Sequence, residues 1–414
     1  PIELGVDAFP ETAKYLVSAA RSLGLRLELS SPGYNDLTDY EAASFGVYDG
    51  RSWAYTEPRA GSFFDSGWWG SQTLSRYGTS VATAATFIKT THEALNSLYR
   101  PFSSLTDVIY NANLQSETQN TAQEVLNNAG VSIGFRRELL NAWVRGRYAQ
   151  NLGTISALAA FMAADSVGQF NIGREDDMAT LWKRMVEDSG AVVKLGSHVD
   201  SLQKMPWGGW ELTSSTQFNT TTTPYDAVVL ATPFGLSSIS LPSTVEPLAK
   251  VTYNPLHITL FISSSRLSPH PFHGRKDIPE VVLTTPCSWE YDSISAKSGE
   301  PGLGQPRFWS LSRVRTVIHE GERRWLYKVV SATKMTQEDL QELVGVGEPI
   351  NWVYRHFVSF IHPLIVPRRK FSTIRLDENL WYTGAMEELA TGVEMASVIG
   401  ANIARLMHEQ WKKE

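Results

Sequence analysis

The residues with the clearest potential for chemistry lie in the segment 380–406, LWYTGAMEELATGVEMASVIGANIARL. An apolar stretch at 380–382 predicts a short buried strand, and Gly384 and Gly392 follow it. Apolar residues then recur at helical spacing, at Val393, Ala396, Ile399, Ile403 and Leu406. The first N–H groups of a helix have no partner within it and form the positive end of its dipole. A helix beginning near Gly392 would therefore suit an anion or an electron-rich ring, while tight packing of its small residues explains the pattern equally well.

Composition narrows the possible functions. The 414 residues suit two domains, and 42% apolar with 19% charged residues is typical of a globular protein. The net charge of −6 gives no basic surface for a nucleic acid. No apolar run reaches the roughly 20 residues that span a bilayer, and residues 1–16 lack the pattern of a signal peptide. We therefore expect no nucleic-acid partner and no transmembrane segment.

Few residues suggest metal binding or modification. Cys287 is the single cysteine, which excludes an internal disulfide and a cysteine metal cluster. His270 and His273 lie close together in a Pro-rich loop without a third ligand nearby, so we predict no metal site. Asn219-Thr220-Thr221 is an acceptor sequence for N-glycosylation, and Asn219 is the predicted glycosylation site.

The predicted elements alternate along the chain. Helical spacing marks residues 11–23, 80–165 and 176–188, and strand-like patterns mark 25–29, 191–205 and 225–235. Asp49-Gly50 between two alternating runs predicts a hairpin. The run VVLA at 228–231 is typical of a strand buried on both faces. The order predicts one α/β domain that the chain visits three times and a second domain built from two insertions.

Three segments together resemble one group of proteins. ELGVDAF at 3–9, YDAVVLATPF at 225–234 and LWYTGAMEELATGVEMASVIGANIA at 380–404 follow the order found in FAD-dependent flavoproteins of the amine-oxidase type. Within that group, VEMAS at 393–397 and RGRYAQN at 145–151 resemble the prenylcysteine oxidases, also called prenylcysteine lyases. The resemblance covers nearly the whole chain.

The resemblance implies an α/β fold with α+β insertions. Residues 1–34, 166–240 and 371–414 would form a doubly wound FAD-binding domain of the glutathione-reductase/amine-oxidase type, incomplete at its N-terminus. Residues 35–165 and 241–370 would form a discontinuous mixed α/β substrate domain.

The resemblance also implies a set of cofactor-binding residues. Glu3 and Gly5 would lie beside the flavin, and the backbone at His198 would lie near the adenine. The helix that begins near Val393 would place its positive end against the negative charge of the reduced flavin. The implied FAD-binding residues are Glu3, Gly5, His198, Val199, Ala231, Thr232, Gly384, Val393 and Glu394.

The implied reaction oxidises a prenylcysteine thioether. Hydride would leave the allylic carbon next to sulfur for the flavin, water would add, and the hemithioacetal would separate into cysteine and a prenyl aldehyde, with oxygen reduced to hydrogen peroxide. The partners are thus a small apolar thioether and oxygen, and the oligomeric state is left open. Tyr148, Gln150 and Asn151 are the candidate catalytic residues, although a helix-ending turn explains them equally well.

The predicted substrate-binding residues are Arg145, Arg147 and Trp143. Either arginine could pair with the substrate carboxylate, and Trp143 could line an apolar groove. Surface arginines and core packing of aromatic residues are the commoner cases.

Two features depart from the family pattern. The Gly-x-Gly-x-x-Gly loop that cradles the FAD pyrophosphate is absent, and Gly173-Arg174-Glu175 stands where relatives carry a Gly-Gly-Asn-like turn. We therefore expect a flavoprotein without its first βαβ unit. A flavin oxidase of another apolar substrate, as in secondary metabolism, and a truncated non-catalytic remnant are the alternatives. The family's setting implies a lysosomal, vacuolar or secreted protein.

Overall fold

The computed structural model describes residues 2, 4–5, 8–30, 45–56, 71–164, 169–172 and 176–412. Their helices are α1 (Lys14–Ser22), α2 (Ser71–Tyr77), α3 (Thr79–Leu95), α4 (Leu105–Asn111), α5 (Gln115–Gln119), α6 (Ala122–Asn128), α7 (Ile133–Phe135), α8 (Ala142–Tyr148), α9 (Ala157–Ala163), α10 (Met178–Asp188), α11 (Tyr291–Ser295), α12 (Gln337–Val344) and α13 (Val393–Trp411). A π-helical segment, Arg136–Asn141, joins α7 to α8.

The strands are β1 (Phe9–Pro10), β2 (Leu27–Ser30), β3 (Phe45–Tyr48), β4 (Trp53–Thr56), β5 (Gln169–Ile172), β6 (His198–Lys204), β7 (Trp210–Ser215), β8 (Thr220–Tyr225), β9 (Val228–Leu230), β10 (Tyr253–Ser263), β11 (Val281–Thr284), β12 (Ser310–His319), β13 (Glu322–Ser331), β14 (Ile350–Pro363), β15 (Arg375–Asp377) and β16 (Leu380–Tyr382).

These strands form four sheets within the described ranges. The largest has the order β14-β10-β13-β12-β11-β3-β4, and its neighbours run antiparallel except for the parallel pair β11 and β3. The smaller sheets have the orders β1-β5-β2, β6-β7-β8 and β15-β16-β9. Each sheet takes all its strands from one of the two predicted domains, whose boundaries stay predictions.

The large sheet is the middle layer of its region. On one face, Val47 and Leu283 are buried in a common core with Phe135 and Phe161 of the helical layer. On the opposite face, Phe261 and Tyr327 stack at 5.1 Å between ring centroids and pack with residues of α12. Because both faces are covered by apolar side chains, the strands of this sheet are held in fixed register.

Helix α13 joins the small sheet β15-β16-β9 to the helical layer. Ile399 is buried in one core with Tyr382 and with Leu98, which follows α3. Asn402 is 2% exposed, and its Nδ2 donates to the Phe102 carbonyl at 2.8 Å while its Oδ1 accepts from the Phe102 N–H at 3.0 Å. The buried N–H and carbonyl of Phe102 are thus both hydrogen-bonded by the Asn402 side chain.

Several predicted elements are confirmed. α1 and α10 lie within the predicted helices at 11–23 and 176–188, and β3 and β4 form the hairpin around Asp49-Gly50. The Asp49 carboxylate stabilises this turn, because its Oδ1 accepts from the N–H groups of Arg51 at 2.9 Å and Ser52 at 2.7 Å. None of the helices in the described ranges is long and apolar enough to cross a bilayer.

Two strand predictions were wrong. The strand expected from residue 191 begins only at His198, and Val192 and Leu195 are 87% and 88% exposed. β9 is not buried on both faces, since Val229 is 40% exposed. Among the described strands, none pairs with residues 191–197, so Val192 and Leu195 are not covered by a neighbouring strand. β9 pairs only with β16 among these strands, which leaves Val229 partly exposed.

We predict that Asn402→Ala destabilises the protein by about 2–4 kcal/mol, because it leaves a buried N–H and a buried carbonyl without partners. Urea unfolding followed by circular dichroism measures the change. Asn128→Ala is the matched control, since Asn128 is exposed and its replacement should change the free energy of unfolding by less than about 0.5 kcal/mol. Equal stability of the two variants would contradict the role assigned to Asn402.

Candidate functional site

The carboxyl ends of two parallel strands form one border of the site. β9 and β16 pair with Leu230 opposite Tyr382, and the Thr383 N–H donates to the Leu230 carbonyl at 3.0 Å. Ala231 and Thr232, both exposed, therefore lie beside Gly384. In α/β sheets, ligands bind at this edge. The structure thus brings three predicted cofactor-binding residues together.

Gly384 is buried and closely approached by its own strand. A Cβ at this position would lie 2.2 Å from Tyr382 Oη, so a larger residue would displace the Tyr382 ring. The residues that follow form a 3-10 turn, Gly384–Glu388, which leads to the start of α13.

Helix α13 begins with a glycine in an unusual conformation. Gly392 has φ 132° and ψ 155°, which L residues rarely adopt, and no side chain caps the helix. Among the described residues, no group accepts a hydrogen bond from the N–H groups of Val393, Glu394 or Met395. A Cβ built at Gly392 meets no atom within 4 Å. These N–H groups are therefore without acceptors among the described residues, and there is room for a further atom at Gly392.

Glu394 connects α13 to two other elements. Its carboxylate accepts from the N–H groups of Tyr15 at 2.9 Å and Leu16 at 3.1 Å, in the first turn of α1, and from the Tyr99 hydroxyl at 2.8 Å. Ala13 occupies the N-cap of α1 and offers no side-chain acceptor, so Glu394 supplies the missing cap. Burial and the bond to Glu394 raise the pKa of Tyr99. The predicted contact of Glu394 with the flavin stays a prediction.

Helix α8 ends next to the start of α13. Tyr148 is buried, and its hydroxyl lies 3.5 Å from the Thr391 carbonyl, one residue before Gly392. Ala149 follows with a left-handed φ of 51°, and its carbonyl accepts from Asn254 Nδ2 at 3.0 Å. The structure thus places the predicted catalytic Tyr148 beside the predicted cofactor-binding helix start.

Gln150 lies in the same turn and is fully buried. Its Oε1 accepts from the Ile365 N–H at 3.0 Å, while its Nε2 has no hydrogen-bond partner among the described residues. This amide holds the segment after β14 against the end of α8. Its catalytic role stays a prediction.

His362, which sequence reasoning missed, lies at the end of β14 against Tyr148. Their ring centroids are 6.1 Å apart with an interplanar angle of 71°. Burial lowers the pKa of His362 from 6.5 to about 4, so the imidazole is neutral at neutral pH. The one signal in the sequence was its position before Pro363, which ends the strand.

Tyr253 and Glu387 were also missed, and they join the large sheet to the 384–388 turn. The Tyr253 hydroxyl donates to the Glu387 carboxylate. Burial raises the pKa of Glu387, and burial together with this bond raises that of Tyr253. The next residue, Glu388, is 2% exposed and pairs with Arg368 at 2.6 Å. Both carboxylates are therefore held by partners within the protein.

Arg145 and Asn151 lie in a buried polar network behind α8. Arg145 is fully buried and donates to the carbonyls of Gly302 at 2.8 Å and Leu303 at 2.7 Å. Asn151 accepts from Arg145 at 2.9 Å and donates to the carbonyls of Ile294, Lys297 and Gly302. Burial lowers the pKa of Arg145 to about 9, so it remains charged at neutral pH. These bonds hold the segment 294–303; contact of either side chain with substrate stays a prediction.

Trp143 and Arg147 lie together, apart from Arg145. The Arg147 guanidinium stacks over the Trp143 ring at 5.3 Å, and the Trp143 indole donates to the Ala163 carbonyl of α9. Arg147 is exposed, whereas Arg145 is fully buried. The three predicted substrate-binding residues are therefore not brought into one group.

The other predicted residues lie in different places. His198 and Val199 begin β6, where the ring of His198 contacts Asp200 at 3.1 Å and Ser238 at 2.9 Å. Lys328 Nζ donates to the Gly5 carbonyl at 3.3 Å, and Glu3 lies outside the described residues. The described residues contain no group of three or more His, Cys, Asp or Glu side chains that could hold a metal ion.

The fold and this arrangement define a class of protein. Over 99% of this chain and 88% of the other, the structure is similar to a triple mutant of putrescine oxidase, with a TM-score of 0.58 and 13% sequence identity. A single mutant of putrescine oxidase covers 98% of this chain and 88% of its own, with a TM-score of 0.56 and 14% identity. The chain has the fold of the FAD-dependent amine oxidases.

Residues 66–414 match the model of the prenylcysteine lyase family, and the chain belongs to that family. Prenylcysteine oxidase 1 of Bos taurus is 23% identical over 301 residues, which are 70% of this chain and 56% of that protein. The chain thus spans little more than half the length of this curated relative. The prenylcysteine lyase family and the amine-oxidase fold are those of FAD-dependent flavoproteins.

The described residues fit an FAD molecule at the site. The N–H groups of Val393, Glu394 and Met395 have no acceptor among the described residues, and a Cβ built at Gly392 meets no atom within 4 Å. The strand ends at Thr232 and Gly384 would hold the part of the cofactor nearest the sheet, and the start of α13 would hold an electronegative edge of its ring.

We predict that Gly392→Ala destabilises the protein by about 1–3 kcal/mol and weakens FAD retention, because alanine does not adopt this backbone conformation without strain. Thermal unfolding and the flavin absorbance after gel filtration measure the two effects. The matched control is Gly400→Ala in the exposed middle of α13, where alanine should stabilise the helix by up to about 1 kcal/mol. Undiminished stability and FAD retention in Gly392→Ala would contradict this account of the helix start.

We also predict a loss of stability in acid that depends on His362. The pKa of His362 is 6.5 in the unfolded chain and about 4 in the folded protein, so between these pH values the unfolded chain binds more protons. The free energy of unfolding therefore decreases as the pH is lowered from 6.5 towards 4. At pH 5 this one group should cost about 2 kcal/mol relative to pH 7.5. Urea unfolding at both pH values should show a smaller acid loss for His362→Gln than for the wild type. A replacement of the exposed His319 by Gln should leave the acid loss unchanged.

Proposed function

We propose that this chain carries the catalytic site of an FAD-dependent thioether oxidase that cleaves farnesyl- or geranylgeranyl-cysteine. The products are cysteine, a prenyl aldehyde and hydrogen peroxide, and the role is degradation of prenylated proteins. The observation that supports this proposal most is the match of residues 66–414 to the prenylcysteine lyase family. The relative whose name suggests this substrate, prenylcysteine oxidase 1, is 23% identical to the chain over 301 residues.

The residues of the site have tasks that suit this reaction. FAD, when bound, supplies the acceptor for a hydride from the carbon next to sulfur. The N–H groups at the start of α13 stabilise negative charge at the cofactor position. Tyr148 closes the site from the α8 side, and Leu256 and Trp309 pack against Ala149. This apolar packing excludes water from the end of α8 behind Tyr148.

The direct test uses the chain loaded with FAD and freed of excess cofactor. S-farnesylcysteine should bleach the flavin absorbance without oxygen, and in air it should yield equimolar farnesal, cysteine and hydrogen peroxide. Putrescine is the control substrate. The chain shares the fold of putrescine oxidase but belongs to the prenylcysteine lyase family, so putrescine should not bleach the flavin.

Two other results would replace the proposal. Turnover of a different apolar substrate alone would favour a flavin oxidase of secondary metabolism. A folded chain that retains no FAD would favour a non-catalytic remnant, and stoichiometric FAD would count against one.

A lysosomal, vacuolar or secreted location and glycosylation at Asn219 belong to the same proposal. Asn219 is exposed between β7 and β8, and its N–H donates to Thr216 Oγ1 at 3.1 Å. An attached glycan would thus have an accessible position. A loss of mass on enzymatic removal of N-glycans would support it.

A further inference from the structure

His362 is an imidazole without a polar partner beside the candidate site. Neither ring nitrogen of His362 has a hydrogen-bond partner among the described residues. The His362 ring packs against the ring of Tyr148. The side chain is partly buried, and its ring nitrogens are not among the buried polar atoms that lack a partner, so water or a ligand can reach them.

The polar groups around His362 are already occupied. Asn254 lies opposite His362 in the sheet, but its amide donates to the Ala149 carbonyl at 3.0 Å. Tyr253, opposite Pro363, donates to Glu387, and Glu388 pairs with Arg368. Burial is the sole cause of the lowered pKa of His362, and no charged group contributes to it. The imidazole is therefore neutral at pH 5 as well as at pH 7, with a lone pair free to accept a proton.

Tyr148 connects His362 to the place where the reaction would occur. The ring of Tyr148 contacts His362, and its hydroxyl reaches the Thr391 carbonyl directly before Gly392 and the first turn of α13. His362 and the start of α13 thus lie on the two sides of one tyrosine. Substrate that contacts the flavin at α13 would lie against this tyrosine and its histidine.

On the basis of the proposed function, we propose that His362 is the catalytic base that accepts a proton from water as it adds to the oxidised substrate. Loss of hydride from the carbon next to sulfur, for which the proposed function supplies the acceptor, leaves a cation that sulfur stabilises. The water oxygen bonds to this carbon, and one water proton passes to the imidazole.

The remaining steps balance. The carbon–sulfur bond breaks, sulfur takes the proton from the imidazolium, and the hydroxyl proton leaves as the aldehyde forms. That last proton, the two electrons and the proton of the transferred hydride, and oxygen together give hydrogen peroxide. The net change is thioether plus water plus oxygen to thiol, aldehyde and hydrogen peroxide.

The test compares His362→Gln with the wild type, both loaded with FAD. Anaerobic stopped flow with S-farnesylcysteine should show flavin bleaching within about 3-fold of the wild type, because hydride loss does not need the base. Release of farnesal, followed by chemical quench, should be slower by about 100-fold or more, as expected for loss of a general base. His257→Gln is the matched control, because His257 lies on β10 in contact with Phe357 and not with Tyr148.

Two further measurements keep the test decisive. The first needs no variant: in the wild type, D2O should slow the release of farnesal but not the bleaching of the flavin. The second measurement is an NMR spectrum of 13C-histidine-labelled protein without FAD, in which the signal of His362 is assigned by its absence from the His362→Gln variant. This signal should titrate near pH 4 and shift on addition of S-farnesylcysteine. The resonance of His257 should not shift.

The outcomes separate the two proposals. Normal bleaching with normal farnesal release in His362→Gln would overturn the role of His362 and leave the thioether oxidase intact. Equal loss of both steps would assign His362 a structural task and overturn its role as a base. Absence of bleaching in the wild type would remove the proposed function and the base together.

Discussion

The position of helix α13 depends on the buried carboxylate of Glu394. This side chain accepts hydrogen bonds from two N–H groups of α1 and from the Tyr99 hydroxyl. Bonds to a charged acceptor are about twice as strong as neutral ones, and a buried carboxylate without partners is costly. A tilt of α13 would break all three bonds, so the first turn of this helix is held in one orientation. The open space before Gly392 follows from that constraint.

A second constraint fixes α8 from behind. Arg145 is charged and fully buried, and carbonyl oxygens of residues 302 and 303 with the Asn151 amide compensate the loss of water. Since Arg145 and Tyr148 are three residues apart on the same helix, the network that holds the guanidinium also sets the direction of the phenol. The π-helical segment before α8 shifts the helical phase, so that Asn141 joins the same network through Asn151. These buried polar groups thereby set the position of Tyr148 beside the start of α13.

The parts of the site that follow local rules could be predicted from the sequence. The start of α13 was found because glycine, helical spacing and the helix dipole are properties of one short segment. His362, Tyr253 and Glu387 were missed, because strand register brings residues 253 and 254 opposite 363 and 362, over 100 positions away. Local patterns do not encode such register. Arg145 and Arg147 could be assigned to different sides of α8 from helical geometry, but which side faces the core depends on the segment 294–303.

The bonds of Glu394 have a consequence for synthesis of the chain. Tyr15 and Glu394 are 379 positions apart, so the ribosome makes α1 long before the carboxylate that caps it. Until α13 follows, the N–H groups at the start of α1 depend on water, and the apolar residues that pack against α13 remain exposed. Domains usually fold as units during synthesis, beginning at the N-terminus. In this chain the cap of α1 is complete only after α13, the last described helix, has been made.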